Sequence, residues 1–165
     1  MVSDSVTKRE QVTLRGYRAK DLDAMHALDV VCFEEPFRFS RAMVKDSAEA
    51  KGAHVVVAEL GAKLAGFAVL QVERLSRTKV GYVVTLDVEP KLRRHGIARR
   101  MMLRLEEEAI AAHCAAMLLH VYVGNEGAIG FYESLGFSRV DVARSFYSSG
   151  LDAWVYRKEL SGTAK

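Results

Sequence analysis

The sequence predicts one α/β domain, a mixed but mostly antiparallel sheet with helices on both faces. Three observations predict it. Strand-like and helix-like patterns alternate through residues 82–135 as a βαβα run, which calls for a parallel strand pair. Hairpin-type strand signals flank that run on both sides. The chain has 165 residues, the size of a single hydrophobic core. One domain is therefore expected over residues 1–165, with 1–10 as a flexible extension and 161–165 as a flexible tail.

The elements follow in order. Residues 12–17 alternate as a strand and 21–32 carry a helical pattern, followed by an irregular segment, 33–39, that holds Pro36. Ser40 is a suitable N-cap for a short helix to about Glu49. Residues 54–60 and 64–74 are β-rich runs around Gly61-Ala62-Lys63, a hairpin signal. Residues 82–88 read as a strand ended by Pro90. Ile97, Met101, Leu105, Ala109 and Cys114 then recur at near-helical spacing, predicting an amphipathic helix to about His113. A strand over 118–123, a helix over 126–135 with Gly136 at its C-terminal cap, and strands over 138–144 and 153–159 complete seven strands.

Composition narrows the class. Half the residues are hydrophobic and 27% are charged, an ordinary globular balance. No apolar run approaches the ~20 residues of a membrane span, and residues 1–11 lack a signal peptide's apolar region. A cytoplasmic protein without membrane attachment is expected. The net charge of +3 is too small to imply nucleic acid. Cys32 and Cys114 lie in apolar helical patterns without metal-ligand spacing, so buried thiols and no metal are expected. Monomer and homodimer both stay open.

The charge is unevenly placed. Lys91, Arg93, Arg94, His95, Arg99, Arg100 and Arg104 fall within fourteen positions, just before Glu106, Glu107 and Glu108. Such a cluster can be a solvated helix face. Here it surrounds Gly96, where the strand ending Leu86-Asp87-Val88-Glu89-Pro90 turns into Arg93-Arg94-His95-Gly96-Ile97-Ala98. Unpaired amides at a helix N-terminus, with the positive end of its dipole, bind anions. Glycine admits a phosphate close to the backbone, and arginine adds forked donors. The nucleotide patterns GxxxxGK[ST] and GxGxxG are both absent.

A second motif follows at Leu118-Leu119-His120-Val121, Asn125 and 128–137, the last reading Ala-Ile-Gly-Phe-Tyr-Glu-Ser-Leu-Gly-Phe. Together the two resemble the GNAT superfamily of N-acetyltransferases. The likeness is greatest to ribosomal-protein alanine N-acetyltransferases and to archaeal and eukaryotic N-terminal acetyltransferases. The resemblance spans most of the chain and is strongest over residues 82–137. It implies the GNAT fold, a sheet splayed at the cofactor site, and acetyl-CoA as cosubstrate. Arg93, Arg94, His95, Gly96, Ile97, Ala98 and Arg99 would then hold the CoA pyrophosphate. Leu86, Asp87 and Val88 would pair with the pantetheine arm, Asn125 would contact the cofactor, and Tyr132 would protonate the departing thiolate. A ribosomal protein is among the partners it implies.

His120 departs from the bacterial ribosomal-protein enzymes, which carry glutamate there. It matches some eukaryotic N-terminal acetyltransferases, in which a histidine works with a tyrosine at the place of Tyr82. The pair would act as a general base through water, since imidazole titrates near neutrality. From the residues alone, His120 can equally be a satisfied histidine on a half-buried strand, and Tyr132 a core aromatic beside Phe131 and Phe137. A phenol can nonetheless donate to a thiolate.

The acceptor must be a neutral amine. At pH 7 deprotonation costs about 1 kcal/mol for an α-amine and more than ~4 kcal/mol for a lysine, so a weak base suits a peptide N-terminus. The resemblance places the acceptor between residues 33–37 and 145–148. Phe33, Pro36 and Phe37 would wall the first side chain, and Tyr147 would bond the substrate backbone. Phe33 and Phe37 can also be loop anchors, and Glu35 an alternative base or ammonium anchor. The rival readings are a small-molecule amine acetyltransferase and a non-catalytic CoA-binding module. An acidic, closed pocket around Glu34 and Glu35 would favour the first rival.

Overall fold

The computed structural model describes residues 11–160. The expected N-terminal extension and C-terminal tail lie outside the described residues. Seven strands form one sheet: β1 (Val12–Arg15), β2 (Ala53–Leu60), β3 (Lys63–Leu75), β4 (Thr78–Val88), β5 (Ala116–Tyr122), β6 (Ser138–Ala143) and β7 (Ala153–Glu159). Four α-helices accompany them: α1 (Leu22–Cys32), α2 (Arg41–Glu49), α3 (Ile97–Ala111) and α4 (Glu126–Ser134). The strand order is β1-β2-β3-β4-β5-β7-β6. Only β4 and β5, joined through α3, run parallel; the other neighbours are antiparallel.

Helices cover both faces, so the central strands are apolar on both sides. Along β3, Ala65, Ala68 and Leu70 belong to a core with α3 and α4, while Phe67 and Val69 belong to a second core with α1 and α2. Successive side chains point to opposite faces of a sheet. The run 67–70 is therefore buried throughout although only alternate residues share a layer. Met101 and Leu105 of α3 are fully buried in the first core; Met25 of α1 and Val44 of α2 fill the second. Each such burial contributes roughly 1.5–3 kcal/mol.

β4 starts at Thr78, four residues before the expected strand, and β1 ends at Arg15, two residues early. Gly81 hides the first extension, since glycine weakens a strand pattern. Its bare backbone admits Leu70 and Ala109, whose methyl carbons lie 3.0 and 3.4 Å from the place of a Cβ. At β1, Arg15 pairs with Asp21 and Glu59 at 2.7 and 2.6 Å, just ahead of a 3₁₀ turn over Ala19–Asp21. That turn redirects the chain into α1.

Candidate active site

The site lies where the sheet splits. β4 and β5 pair only over Val80↔Ala116, Gly81↔Met117 and Tyr82↔Leu118. Beyond Tyr82 the two strands part, β4 staying on β3 and β5 on β7. A bulge drives the parting: Leu70 faces Val83 and Val69 faces Thr85, so Val84 is the extra residue. Bulges bend a strand and increase its twist. Past the bulge, Glu89 N–H donates to the Ala65 carbonyl at 2.9 Å. By alternation Asp87 turns its backbone groups toward β3, and Leu86 and Val88 turn theirs into the gap. The Val88 carbonyl there accepts from Cys32 Sγ and Arg93 Nε, both at 3.3 Å.

A cleft of about 1270 Å³ follows this split, larger than the usual pocket for one small ligand. One end is the N-terminus of α3. Its first helical bond runs from Arg100 N–H to the Gly96 carbonyl, so the amides of Ile97, Ala98 and Arg99 have no helical acceptor. Gly96 has φ +80° and Arg94 φ +66°, and a Cβ at Gly96 would meet no atom within 4 Å. The turn thus presents open amides flanked by Arg93, Arg94 and Arg99, a setting for a diphosphate. The two-sided gap, with the Leu86 backbone groups and the Val88 N–H directed into it, suits an extended amide-bearing arm. On these observations the residues present fit coenzyme A.

Near the middle of the cleft, Tyr82 Oη lies 2.7 Å from His120 Nδ1. Tyr82 closes the β4–β5 pairing, and His120 alternates with the buried Leu119 and Val121, so its ring leaves the core. Burial holds His120 below the ordinary histidine value and pushes the Tyr82 phenol up to about 12. The pair is therefore a neutral imidazole beside a neutral phenol. Phe146 stacks on the imidazole at 4.0 Å and 8°.

Tyr132 is held by the end of α4. Leu135 N–H and Phe137 N–H both donate to its carbonyl, and Gly136, at φ +95°, donates to Glu133. This is the double closure of a glycine-terminated helix. Crowding by protein, then Asp87 and Tyr147, pushes its phenol above the ordinary value. Asn125 caps the other end of α4, its Oδ1 accepting from Ala128 N–H at 3.1 Å, with the residue itself in the cleft wall.

On the opposite side Phe37 packs against Tyr122 at 5.1 Å and Tyr147 at 4.7 Å. Arg38 fastens this loop, Nε donating to the Phe33 carbonyl at 2.6 Å and Nη2 to the Val30 carbonyl at 3.1 Å.

Most of the sequence-predicted site residues meet in this cleft: Tyr82, Leu86, Val88, Arg93, Arg94, Gly96, Ile97, Ala98, Arg99, His120, Asn125, Tyr132, Phe33, Phe37 and Tyr147. Four do not line it. The Asp87 carboxyl is buried and bonded by Thr85 Oγ1 at 2.6 Å, with its backbone turned to β3. The His95 ring folds onto the carbonyls of Leu92 and Arg93. Glu35 and Pro36 stay out of the wall, and Glu34 lines the cleft instead. Sequence reasoning missed Tyr122 and Cys32 as wall residues, and it placed Phe146 in the acceptor segment without giving it a role. Tyr122 lies two positions beyond His120, so strand alternation signals it; Phe146 adjoins Tyr147; Cys32 has no signal.

Comparison with known proteins agrees with this geometry. Residues 22–137 match the Acetyltransferase (GNAT) family. The chain is 36% identical over 109 residues to the N-alpha-acetyltransferase RimI of Mycobacterium tuberculosis, covering 64% of this chain and 66% of that protein. It is 26% identical to the N-terminal acetyltransferase A complex catalytic subunit NAA10 of Arabidopsis thaliana, over 92% of this chain and 79% of that one. The structure of Arabidopsis thaliana Naa50 in complex with the bisubstrate analogue CoA-Ac-MVNAL is similar, with a TM-score of 0.76 and 27% identity over 90% of this chain and 98% of that one. The chain belongs to the GNAT family of acetyltransferases.

Proposed function

We propose that this protein transfers acetyl from acetyl-CoA to the α-amine of a protein or peptide N-terminus, with His120 and Tyr82 as the proton-accepting pair. The carrying observation is the 2.7 Å contact between them where the strands part. With Nδ1–H donating to Tyr82, Nε2 keeps its lone pair for a water that takes the proton of the incoming amine. A histidine already neutral at pH 7 needs no activation for this step.

Acetyl-CoA, when bound, supplies the thioester carbon that the amine attacks. The α3 amides with Arg93, Arg94 and Arg99 would hold the diphosphate, and the Leu86 backbone the pantetheine amides. The Val88 N–H, directed into the gap, is a donor for the carbonyl oxygen as it gains charge. Tyr132, kept protonated by its surroundings, is a donor for the thiolate. The relatives named for N-alpha and N-terminal acetylation support an α-amine acceptor, and a ribosomal protein is one such acceptor. The aromatic wall of Phe37, Tyr122 and Tyr147, with Glu34 and Glu35 exposed, supports an open groove over an acidic closed pocket.

The test is an initial-rate screen with acetyl-CoA against Ala-, Ser- and Met-initiated peptides, polyamines and aminoglycosides, with acetylated positions located by mass spectrometry. Peptide α-amines are the expected acceptors; acetylation of the small amines alone would overturn the reading. A His120→Ala, Tyr82→Phe double variant is expected to lose roughly 10²–10⁴-fold in rate while calorimetry still detects CoA.

A further inference from the structure

Two carboxyl groups lie under the site, and acetyl transfer as proposed uses neither. Asp29 of α1 and Asp87 of β4 are each only 1% exposed. Asp29 Oδ2 accepts from Phe39 N–H at 2.7 Å, and Asp87 Oδ1 accepts from Thr85 Oγ1 at 2.6 Å. The other oxygens, Asp29 Oδ1 and Asp87 Oδ2, are buried and have no donor among the described residues. The Asp29 carboxyl lies close enough to Asp87 to act on it directly.

Ionised carboxylates carry acceptors only. Two of them here would leave two buried oxygens orphaned and set like charges together, both unfavourable away from water. One retained proton turns one oxygen into a donor and satisfies both. We infer that Asp29 and Asp87 share a single proton, and that this bonded pair positions the loop 33–39 against the end of β4 that borders the gap.

The surrounding charges are consistent with it. Burial, then the Asp29 carboxyl, holds Asp87 well above the usual carboxylate range, against the opposing pull of the Thr85 hydroxyl and of Arg93 from the turn before α3. Cys32 on α1 and Tyr132 on α4 also feel Asp87, and both are pushed up and neutral. Arg93 is thus the one cation among these neighbours, and its Nε is directed to the Val88 carbonyl. Mechanically, Asp29 brackets the loop. Its main-chain carbonyl accepts from Phe33 N–H at 3.0 Å and its carboxylate from Phe39 N–H, so both loop ends rest on one residue. Across the shared proton sits Asp87, between Leu86 and Val88.

The test compares wild type, Asp29→Asn and Asp29→Ala. Asparagine can accept from Phe39 and donate to Asp87 without a shared proton; alanine can do neither. A folded value raised above the unfolded one gives stability present at low pH and lost as pH rises through the folded value. From about pH 4, the unfolded carboxylate range, to about pH 10 the wild-type melting temperature is therefore expected to fall by about 3 °C or more relative to Asp29→Asn, with Asp29→Ala lowest throughout. Parallel curves for wild type and Asp29→Asn would overturn the shared proton.

The positioning role rests on the acetyl-transfer reading and has its own readout, the KM for an Ala-initiated peptide. About a tenfold rise in Asp29→Ala, rescued in Asp29→Asn, with CoA affinity moved less than threefold, is expected. Equal loss in both variants, or loss confined to CoA binding, overturns it. Absence of CoA heat in wild type would sink the reading of function and leave the melting curves to decide the proton.

Discussion

His120 carries the most informative chemistry of any single residue. Burial lowers its pKa, so folding is linked to proton release. A depressed folded value contributes stability that is whole above the unfolded value near 6.5 and is lost as pH falls through the folded value. Phe146 is 45% exposed yet stacked on the imidazole. Replacing it by alanine opens one ring face to water, and the His120 titration is expected to move up toward 6.5. Imidazole NMR titrations of wild type and Phe146→Ala read this directly, and an unchanged midpoint would show that the stack does not set it. Gly96 supports a second prediction. Alanine at φ +80° strains the turn by roughly 1–2 kcal/mol. Its methyl group would also occupy open space at a residue that lines the cleft. CoA affinity, measured by calorimetry, is expected to fall at least ~10-fold, a loss of about 1.4 kcal/mol, beyond any effect on melting temperature.

At the scale of elements, placement of the candidate catalytic side chains depends on how strands and helices end. Tyr132 is anchored because α4 closes on Gly136, whose left-handed backbone lets the Phe137 amide reach back to the Tyr132 carbonyl while its own amide bonds Glu133. Gly136→Ala is expected to cost about 1–2 kcal/mol, a melting drop of roughly 2–8 °C, and to slow turnover beyond what the lost folded fraction explains. Equal turnover per folded molecule would mean that Tyr132 does not need this closure. The same elements show what was legible beforehand. Ser40 at the start of α2 accepts from Met43 N–H as its cap residue should, and β7 runs over the expected residues. These signals are local, written in residues within one turn or one alternation. The bulge at Val84 was not legible, because Thr85, Leu86 and Val88 continue an ordinary strand pattern and the extra residue exists only relative to β3. Nor was the burial of Asp87. An aspartate between Leu86 and Val88 reads as a gap-facing polar group until α1 brings Asp29 beneath it. The stacking of Phe146 on His120 stayed hidden for a similar reason: a loop aromatic has no periodicity to say which ring it will cover.

For the whole molecule, the split lets two sides of the sheet serve one reaction. The α3–α4 side holds the open-amide turn at Gly96 and Tyr132, and the 33–39 loop with the β6–β7 connection holds the aromatic wall. Both open into the same cleft, so donor and acceptor can be present together. The alternative is a covalent acetyl-enzyme, for which Cys32 is the nucleophile nearest the gap. Burial, then Asp87, pushes its thiol up to about 11, and its Sγ–H is directed to the Val88 carbonyl. At pH 7 the thiolate fraction is then on the order of 10⁻⁴, and the thiolate is the nucleophilic form. Cys114 is fully buried in the α3 core. Initial velocities over a grid of acetyl-CoA and peptide concentrations are therefore expected to give intersecting double-reciprocal lines, with no burst of free CoA before acceptor is added. Parallel lines with a stoichiometric CoA burst would point to an acetylated enzyme, and loss of that burst in Cys32→Ser would identify its site. Direct transfer makes the opposite demand: no free CoA forms until an amine with an available lone pair enters from the aromatic side. The rate at saturating acetyl-CoA and subsaturating peptide should accordingly climb with pH toward the amine's own pKa, near 7.8 for an α-amine, and lysine-only peptides should lag at neutral pH.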